Sequence, residues 1–261
     1  MTVLKKIKGF FAVLATLLFP PKCAGCQVVL PSDDVILCKK CADVYRLETK
    51  MRCKICNRAH RACICKIEFL GTKIPITHVT GYDIKRPSVS KNIILGVKDT
   101  RLDSTFDFLA EEMLTALKER YLRLFERTNV VITYVQRSKN AKRRAGHDQS
   151  EQIARRIADK SGAVFMPLFE NNGIKKQKTL KRAQRQQNAL KNYSLLYPEL
   201  SLKGQTVVII DDIVTTGASI GTCAILAQKV GAKATLGLSF AKSVREEGIE
   251  NKENGIGEEL C

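Results

Sequence analysis

The feature that most constrains the fold of this 261-residue chain is a cluster of cysteines near its N-terminal end. They form four close pairs, three of the form Cys-x2-Cys and one of the form Cys-x-Cys: Cys23, Cys26, Cys38, Cys41, Cys53, Cys56, Cys63 and Cys65. The two thiolates of such a pair can bind one ion, and two pairs complete a tetrahedral all-sulfur site. The spacing therefore predicts a small module that folds around zinc.

The eight thiolates make two complete sets of four, so the sequence predicts two zinc ions. The simplest assignment is sequential, with residues 23/26/38/41 on one ion and residues 53/56/63/65 on the other, while an interleaved assignment stays open. His60 could replace one of the later cysteines, although a lone histidine is more often a polar surface residue. Four protein ligands leave no open coordination position, which indicates a structural role. An iron–sulfur cluster is a minor alternative.

A disulfide-rich secreted module is the competing interpretation of the cysteines, and it requires an export signal. Lys5, Lys6 and Lys8 precede an apolar run from Phe10 to Phe19. No small-residue cleavage site follows this run, which is also too short to span a bilayer. We therefore expect a cytoplasmic protein without a membrane span, with a short amphipathic helix at residues 3–18.

Charge and composition divide the chain into three zones and limit its partners. The formal net charge of +18 favours polyanions, such as nucleic acid, anionic lipid or phosphorylated small molecules. Residues 1–68 carry the cysteines, and residues 69–244 alternate between strand and helix patterns. Residues 245–261 are rich in Glu and poor in large apolar side chains, which predicts a disordered acidic tail.

The middle zone is predicted to be an α/β domain with a parallel sheet. Two β-branched runs are typical of buried strands, and amphipathic segments alternate with them along the chain. The expected strands are residues 130–135, 206–210 and 235–240, and the expected helices are residues 104–124, 149–158 and 220–230. Strand–helix–strand units of this length form parallel crossovers.

The most specific signal for chemistry is the segment from Val207 to Ser219. A hydrophobic strand delivers two carboxylates, Asp211 and Asp212, to its C-terminal end, where they suit vicinal hydroxyls or a divalent cation. A turn of small residues then leads into a helix, and its backbone N–H groups suit a phosphate monoester. The residues of this turn are Thr215, Thr216, Gly217, Ala218 and Ser219.

This segment closely resembles the phosphoribosyl pyrophosphate (PRPP) motif of type I phosphoribosyltransferases. The resemblance implies that Asp211 and Asp212 bind the ribose hydroxyls, directly or through Mg²⁺, and that residues 215–219 bind the 5′-phosphate. In purine-salvage members an Asp that handles the base proton typically occupies the place of Thr215. Its replacement by Thr argues against a 6-oxopurine acceptor.

A basic stretch lies between the two strands, since residues 134–191 hold 15 Lys/Arg against 4 Asp/Glu. Pyrophosphate and nucleic-acid backbones are both suitable counter-charges. The candidate contacts are Arg137, Lys139, Lys142, Arg143, Arg144 and Arg185. His147 lies in the same stretch and could contact phosphate, although a lone histidine there is more often a surface residue.

Taken together, these segments resemble the ComF competence family over roughly residues 15–242. The resemblance rests on the cysteine pairs, Arg144 to Ser150 (R-x-G-x-[ND]-Q-[SA]), Gln177 to Asn188 (Q-x-x-L-x-x-x-x-R-x-x-N) and the PRPP-type loop. It implies a type I phosphoribosyltransferase-like parallel sheet fused to an N-terminal zinc-ribbon module. It also implies PRPP or ribose 5-phosphate with Mg²⁺ as ligand, single-stranded DNA and competence helicase or translocation proteins as partners, and a role in DNA uptake.

The chain departs from that family at two places. Many members have V-P-V-P where this chain has Thr133 to Gln136, and a Phe commonly stands in the place of His147. Three functions therefore stay open at this point: a phosphoribosyltransferase with an unknown acceptor, a DNA-binding competence factor, and a catalytically inactive PRPP-binding regulator.

Overall fold

The computed structural model describes residues 20–32, 34–83, 86–99, 103–127, 129–173 and 190–243. Its helices are α1 (Lys39–Lys50), α2 (Val89–Asp99), α3 (Asp103–Arg120), α4 (Leu124–Arg127), α5 (Lys139–Ala145), α6 (Gln149–Ser161) and α7 (Ala218–Lys229), with a 3-10 turn at His60–Ala62. Its strands are β1 (Lys66–Phe69), β2 (Thr72–Tyr82), β3 (Asn129–Tyr134), β4 (Val164–Phe165), β5 (Phe169–Asn171), β6 (Tyr193–Leu195), β7 (Gln205–Val214) and β8 (Ala234–Ser243).

Six strands form the central sheet in the order β1-β2-β8-β7-β3-β4. The pairs β2–β8, β8–β7, β7–β3 and β3–β4 are parallel, and only β1 runs antiparallel to its neighbour. β5 and β6 form a separate antiparallel pair. The structure is thus a mixed α/β fold with a mostly parallel sheet, as the sequence predicted.

The two faces of the sheet belong to two hydrophobic clusters, because successive residues of a strand point to opposite sides. In β7, Val208 and Ile210 face a cluster that includes residues of α2, α3 and α6. Val207 and Ile209 face a second cluster that includes residues of α7, β1 and the β5–β6 pair. Both faces are covered, which explains the unbroken apolar run from Val207 to Ile210 in β7.

The cysteine-rich segment packs onto the first of these clusters. Tyr45 of α1 is buried, its ring stacks on Phe240 of β8 at 6.2 Å between centroids, and its hydroxyl donates to Glu112 of α3 at 2.5 Å. The carboxylate of Glu48 in α1 accepts hydrogen bonds from the backbone N–H groups of Val89 and Ser90, each at 2.8 Å, at the start of α2. The N-terminal module therefore shares its core with the α/β body.

The strands and helices predicted for the middle zone are all present, with different limits. The strand expected at residues 206–210 extends to Val214, and the one expected at 235–240 extends to Ser243. The helix expected at residues 104–124 ends at Arg120, and a short second helix, α4, follows it. The predicted helix at residues 3–18 and the predicted tail at residues 245–261 lie outside the described residues. Among the residues described, no helix is both long and apolar enough to cross a membrane.

Candidate functional site

The sheet reverses its strand order between β3 and β7. From β3 the chain continues to β4 on one side, and from β7 it continues to β8 on the other. Such a switch point leaves a crevice outside the carboxyl ends of the strands, where open α/β sheets bind ligands. The register places Tyr134 at the end of β3 opposite Ile210, directly before the two predicted carboxylates.

Asp211 and Asp212 lie at this edge and are partly buried. Each accepts a hydrogen bond from the next backbone N–H: Oδ1 of Asp211 from Asp212 at 3.1 Å, and Oδ1 of Asp212 from Ile213 at 2.8 Å. Burial, together with the negative charges of Asp212 and then Asp148, raises the pKa of Asp211 well above its usual range. Keeping both carboxylates ionised is therefore costly, and a bound cation or hydroxyl donors would lower this cost.

The predicted turn follows immediately and is open to solvent at its first residues. Thr215 and Thr216 are exposed, and Thr216 Oγ1 accepts from the backbone N–H of Ala218 at 3.4 Å. Gly217 takes the left-handed conformation (φ 76°) and caps α7, whose first-turn N–H groups have no partner within the helix. Such N–H groups and hydroxyls can bind a phosphate.

A side chain at Gly217 would meet two obstacles. Its φ disfavours any residue with a Cβ, and a Cβ there would lie 2.6 Å from the Ile67 side chain. One helical turn later, a Cβ at Gly221 would lie 2.4 Å from the ring of Phe69. Strand β1, which leaves the cysteine module, thus packs directly against the turn and the start of α7.

Arg137, predicted as an anion contact, reaches the carboxylates from the end of β3. Its guanidinium Nη2 lies 3.5 Å from Oδ2 of Asp212, and the two side chains are 25% and 17% exposed. Its backbone N–H donates to Oδ2 of Asp148 at 2.8 Å. Asp148 belongs to the predicted R-x-G-x-[ND]-Q-[SA] segment, but the sequence assigned it no role.

The other predicted cations lie farther along the same stretch. Lys139 pairs with Glu170 and Lys142 with Glu151, each at 2.9 Å. Arg143 and Arg144 are exposed in the last turn of α5. Arg185 lies outside the described residues. His147 is half-buried rather than a surface residue, because its ring packs edge-on against Phe106 at 5.7 Å.

Tyr193 is a neighbour of the turn that the sequence analysis did not identify. It lies in β6, is buried, and its hydroxyl interacts with the side chains of Ser219 and Asn171. Burial raises its pKa, so that the hydroxyl stays protonated and can donate. Asn171 is held in turn by Gln136, whose side-chain oxygen accepts from its backbone N–H at 2.9 Å. No local motif marks Tyr193, since only the β5–β6 pairing brings it here.

The eight cysteines form two groups of four, and the groups are the sequential ones: Cys23, Cys26, Cys38 and Cys41, and Cys53, Cys56, Cys63 and Cys65. Within each group all Sγ atoms lie within 4.8 Å of one another. The first pair of each group sits in the same kind of turn. Gln27 and Asn57 take left-handed φ values of 65° and 53°, and each donates its N–H to the carbonyl of the first cysteine.

The sulfur separations fit a tetrahedral ion. Cys26 and Cys38 are 3.7 Å apart, Cys56 and Cys63 3.6 Å, and Cys53 and Cys65 3.8 Å. Zinc–sulfur bonds of about 2.3 Å in a tetrahedron place their sulfurs about 3.8 Å apart, whereas a disulfide requires about 2.05 Å. Each group could therefore hold one zinc ion, and every cysteine in them is a free thiol.

Backbone donors favour the thiolate at one cysteine of each group, whereas burial raises the pKa of Cys41, Cys63 and Cys65. Burial raises the pKa of Cys23, but N–H groups including those of Cys38 and Gly25 outweigh it and lower the pKa to about 7. Burial is likewise outweighed at Cys56, where hydrogen bonds from Arg58 and Ile64 help lower the pKa to about 6. Each group thus contains a thiol prepared to lose its proton to a metal.

His60 is neither a ligand nor a surface residue, and the expectation of a polar surface histidine is wrong. It is buried, and its Nδ1 lies 3.0 Å from Nε2 of His78 in β2. A Cβ at Gly81 would lie 2.4 Å from its Nε2, so the missing side chain makes room for the ring. Burial, followed by the charges of His60, Lys242 and Arg120, lowers the pKa of His78 to about 3. Burial also lowers the pKa of His60, so that both rings are neutral near pH 7.

Comparisons with known proteins give distant structural similarities. No protein-family model and no curated protein matches the sequence. Among solved structures, this chain is similar to a hypoxanthine phosphoribosyltransferase from Staphylococcus aureus (10% identity, 54% of this chain and 76% of that chain, TM-score 0.35). It is also similar to a purine phosphoribosyltransferase from Pyrococcus horikoshii (18%, 52% and 83%, 0.33) and an adenine phosphoribosyltransferase from Thermoanaerobacter pseudethanolicus (17%, 62% and 87%, 0.35).

Proposed function

We propose that this chain is a phosphoribosyltransferase-family protein that binds PRPP or ribose 5-phosphate at residues 211–219. The observation that carries the proposal is the arrangement at the switch point. Two carboxylates at the end of β7 are followed by a left-handed glycine turn and the start of α7, and Arg137 faces Asp212 from the loop after β3. One ligand that combines vicinal hydroxyls, a phosphate monoester and a pyrophosphate would use all of these groups.

Each group has a distinct task in this proposal. Residues 215–219 and the first turn of α7 bind the 5′-phosphate, and Asp211 and Asp212 bind the ribose hydroxyls. The carboxylate pair also fits Mg²⁺, a hard cation that prefers oxygen ligands and would help neutralise the pyrophosphate. Transfer breaks the bond between ribose C1 and pyrophosphate and joins C1 to an acceptor, and basic side chains stabilise the departing charge.

Isothermal titration and pyrophosphate release test the proposal on the whole protein. We expect PRPP to bind in the presence of Mg²⁺ and to compete with ribose 5-phosphate, because both present the same phosphate to the turn. Pyrophosphate release, measured with and without single-stranded DNA, separates an enzyme from a sensor. If neither PRPP nor ribose 5-phosphate binds at millimolar concentration, the proposed function is wrong.

We further propose that the protein handles single-stranded DNA as a ComF-type competence factor, with the basic stretch as the contact surface. The supporting observation is the exposure of Arg143 and Arg144 on α5, close in sequence to the site but turned to solvent. The excess of positive charge in residues 134–191 exceeds what one pyrophosphate requires. Contacts from such residues would be to the phosphate backbone and independent of sequence.

Replacing Lys142, Arg143 and Arg144 together by Ala is expected to weaken DNA binding alike for all sequences. Each lost phosphate contact flattens the slope of log affinity against log salt by about 0.7, so the triple variant should lose about 1.4 to 2. Lys142 contributes least, because Glu151 already pairs with it. Fluorescence anisotropy over a salt series measures the slope.

The matched control variant has the same change in charge at the opposite ends of the strands, where the strands begin. Lys203, Lys229 and Lys233 are exposed near the starts of β7 and β8. Their triple Ala variant should keep the wild-type slope. Equal slopes in all three proteins, or no binding by the wild type at low salt, would show that α5 is not a DNA surface.

A further inference from the structure

One contact at the site is not explained by the proposed function: Arg137 pairs with Asp212, a carboxylate that the proposed ligand needs. Arg137 and Asp212 face each other at 3.5 Å with most of both side chains out of water. Among the described residues of the predicted basic stretch, every other ion pair uses a carboxylate outside residues 211–212, as with Lys139 and Glu170. In the described part of the chain, Arg137 is therefore the cation that neutralises the proposed ribose site itself.

The backbone of Arg137 is anchored while its side chain can move. Asp148 is only 1% exposed, and its Oδ2 accepts from the Arg137 backbone N–H at 2.8 Å. This hydrogen bond fixes the backbone of Arg137, while the long side chain allows the guanidinium to occupy several positions.

The contact itself is at the long end of the range for an ion pair. Charge-assisted N–H···O bonds are usually about 2.7 to 2.9 Å, and a guanidinium prefers two parallel bonds to one carboxylate. At 3.5 Å Arg137 makes a single long contact with Asp212, so a better anion can compete for it. A pyrophosphate offers several oxygens in the fork geometry that a guanidinium matches.

We propose that Arg137 is an exchangeable gate: it occupies Asp212 in the empty protein and moves to the pyrophosphate of the incoming ligand. This inference rests on the proposed function and adds to it how the empty site is held until a ligand with a pyrophosphate arrives. Such a ligand removes the arginine from Asp212 and frees that carboxylate for a hydroxyl or a cation. Ribose 5-phosphate has no group to draw the arginine away, so it binds against the closed gate.

Replacing Arg137 by Gln opens the gate permanently and removes the pyrophosphate contact. Loss of the ion pair with Asp212 should strengthen cation binding, whereas loss of the pyrophosphate contact should weaken PRPP binding. We expect Mn²⁺ alone, measured by electron paramagnetic resonance as a probe of the carboxylate pair, to bind at least fivefold more tightly. PRPP should bind about tenfold more weakly, while ribose 5-phosphate binds equally or better. The preference for PRPP over ribose 5-phosphate should thus collapse.

Two further variants make the result specific. Arg123→Gln makes the same change on an exposed residue between α3 and α4, at the opposite edge of the sheet, and should leave all three affinities unchanged. Arg137→Lys keeps the charge without the fork and should give intermediate values. Thermal unfolding of each variant shows whether it is folded.

The outcomes separate the gate from the proposed function. Equal weakening of PRPP and ribose 5-phosphate in Arg137→Gln, or unchanged Mn²⁺ affinity, would overturn the gate while leaving PRPP binding intact. If wild type binds neither sugar phosphate, the proposed function fails, and the claim that the gate admits pyrophosphorylated ribose fails with it. The Mn²⁺ titration then still decides whether Arg137 blocks the carboxylates.

Discussion

Replacing Cys23 by Ser is expected to remove one of two zinc ions and to unfold the N-terminal module. The Cys23 side chain is completely buried, and its sulfur accepts from the backbone N–H groups of Gly25 and Cys38 at 3.4 and 3.3 Å. Binding free energies of about 10 to 16 kcal/mol are typical of structural zinc, so loss of one site exceeds the stability of most small modules. Metal analysis should give about two zinc ions per chain for wild type and one for the variant.

The damage should extend beyond the module, because Cys23, Leu30, Cys41 and Tyr45 belong to the same hydrophobic cluster as Phe240. We therefore expect a lower unfolding temperature for the whole protein, seen by circular dichroism as one broadened transition. Cys223→Ala is the matched control, since that cysteine is buried in α7 away from both groups and its loss should leave two zinc ions. Metal-free protein with disulfides, detected by mass spectrometry, would contradict the zinc assignment.

The second large effect is expected from Asp211→Asn combined with Asp212→Asn. The double variant keeps the shapes of the side chains but removes the charges that hold hydroxyls or a cation. We expect the affinity for PRPP with Mg²⁺ to fall at least about a hundredfold, because two charge-assisted contacts of about 1.5 to 3 kcal/mol each are lost. Isothermal titration measures this. Asp159→Asn with Glu126→Gln makes the same charge change at exposed positions and should bind normally.

The same variant should be at least as stable as wild type. The raised pKa of Asp211 means that the folded protein binds this proton more tightly than the unfolded chain. Its charged form therefore destabilises the fold above the usual Asp range. This cost is full above the raised pKa, shrinks as pH falls below it, and is gone once pH reaches the usual Asp range. The gain in unfolding temperature of the double Asn variant should accordingly shrink with decreasing pH. A variant that is both unfolded and unable to bind would leave the carboxylates with a structural role instead.

Local patterns predicted much of the fold, and the failures have a physical cause. The strands β3 and β7 were evident as β-branched runs, because they are buried on both faces. Strand β2 was not assigned, since Pro75, Thr77 and His78 interrupt its apolar pattern although all its central residues are covered. Proline is tolerated there because Pro75 pairs only with Lys66 of the edge strand β1.

The site divides in the same way. Asp211 to Ser219 are contiguous, so their chemistry could be predicted from order alone, and the sequential cysteine groups needed only spacing. Asp148 and Tyr193 come to the site from different elements, through the β3–β7 pairing and the β5–β6 pair. The contact between Arg137 and Asp212 requires that β3 and β7 are neighbours in the sheet. No single stretch of the sequence predicts that strand order.

The packing of Phe69 on Gly221 limits which substitutions related sequences can accept at these two positions. A larger residue at position 221 has no room unless position 69 shrinks at the same time, since the two surfaces already touch. Ile67 also packs on Gly217, but there the left-handed φ already disfavours a larger residue, whatever stands at position 67. We expect positions 69 and 221 to covary across related sequences, so that the cysteine-bearing segment and the segment with residues 211–221 are inherited as a matched set. A chimera that takes one of the two segments from a related protein should therefore clash or leave a cavity where positions 69 and 221 meet, even if every cysteine and aspartate is kept.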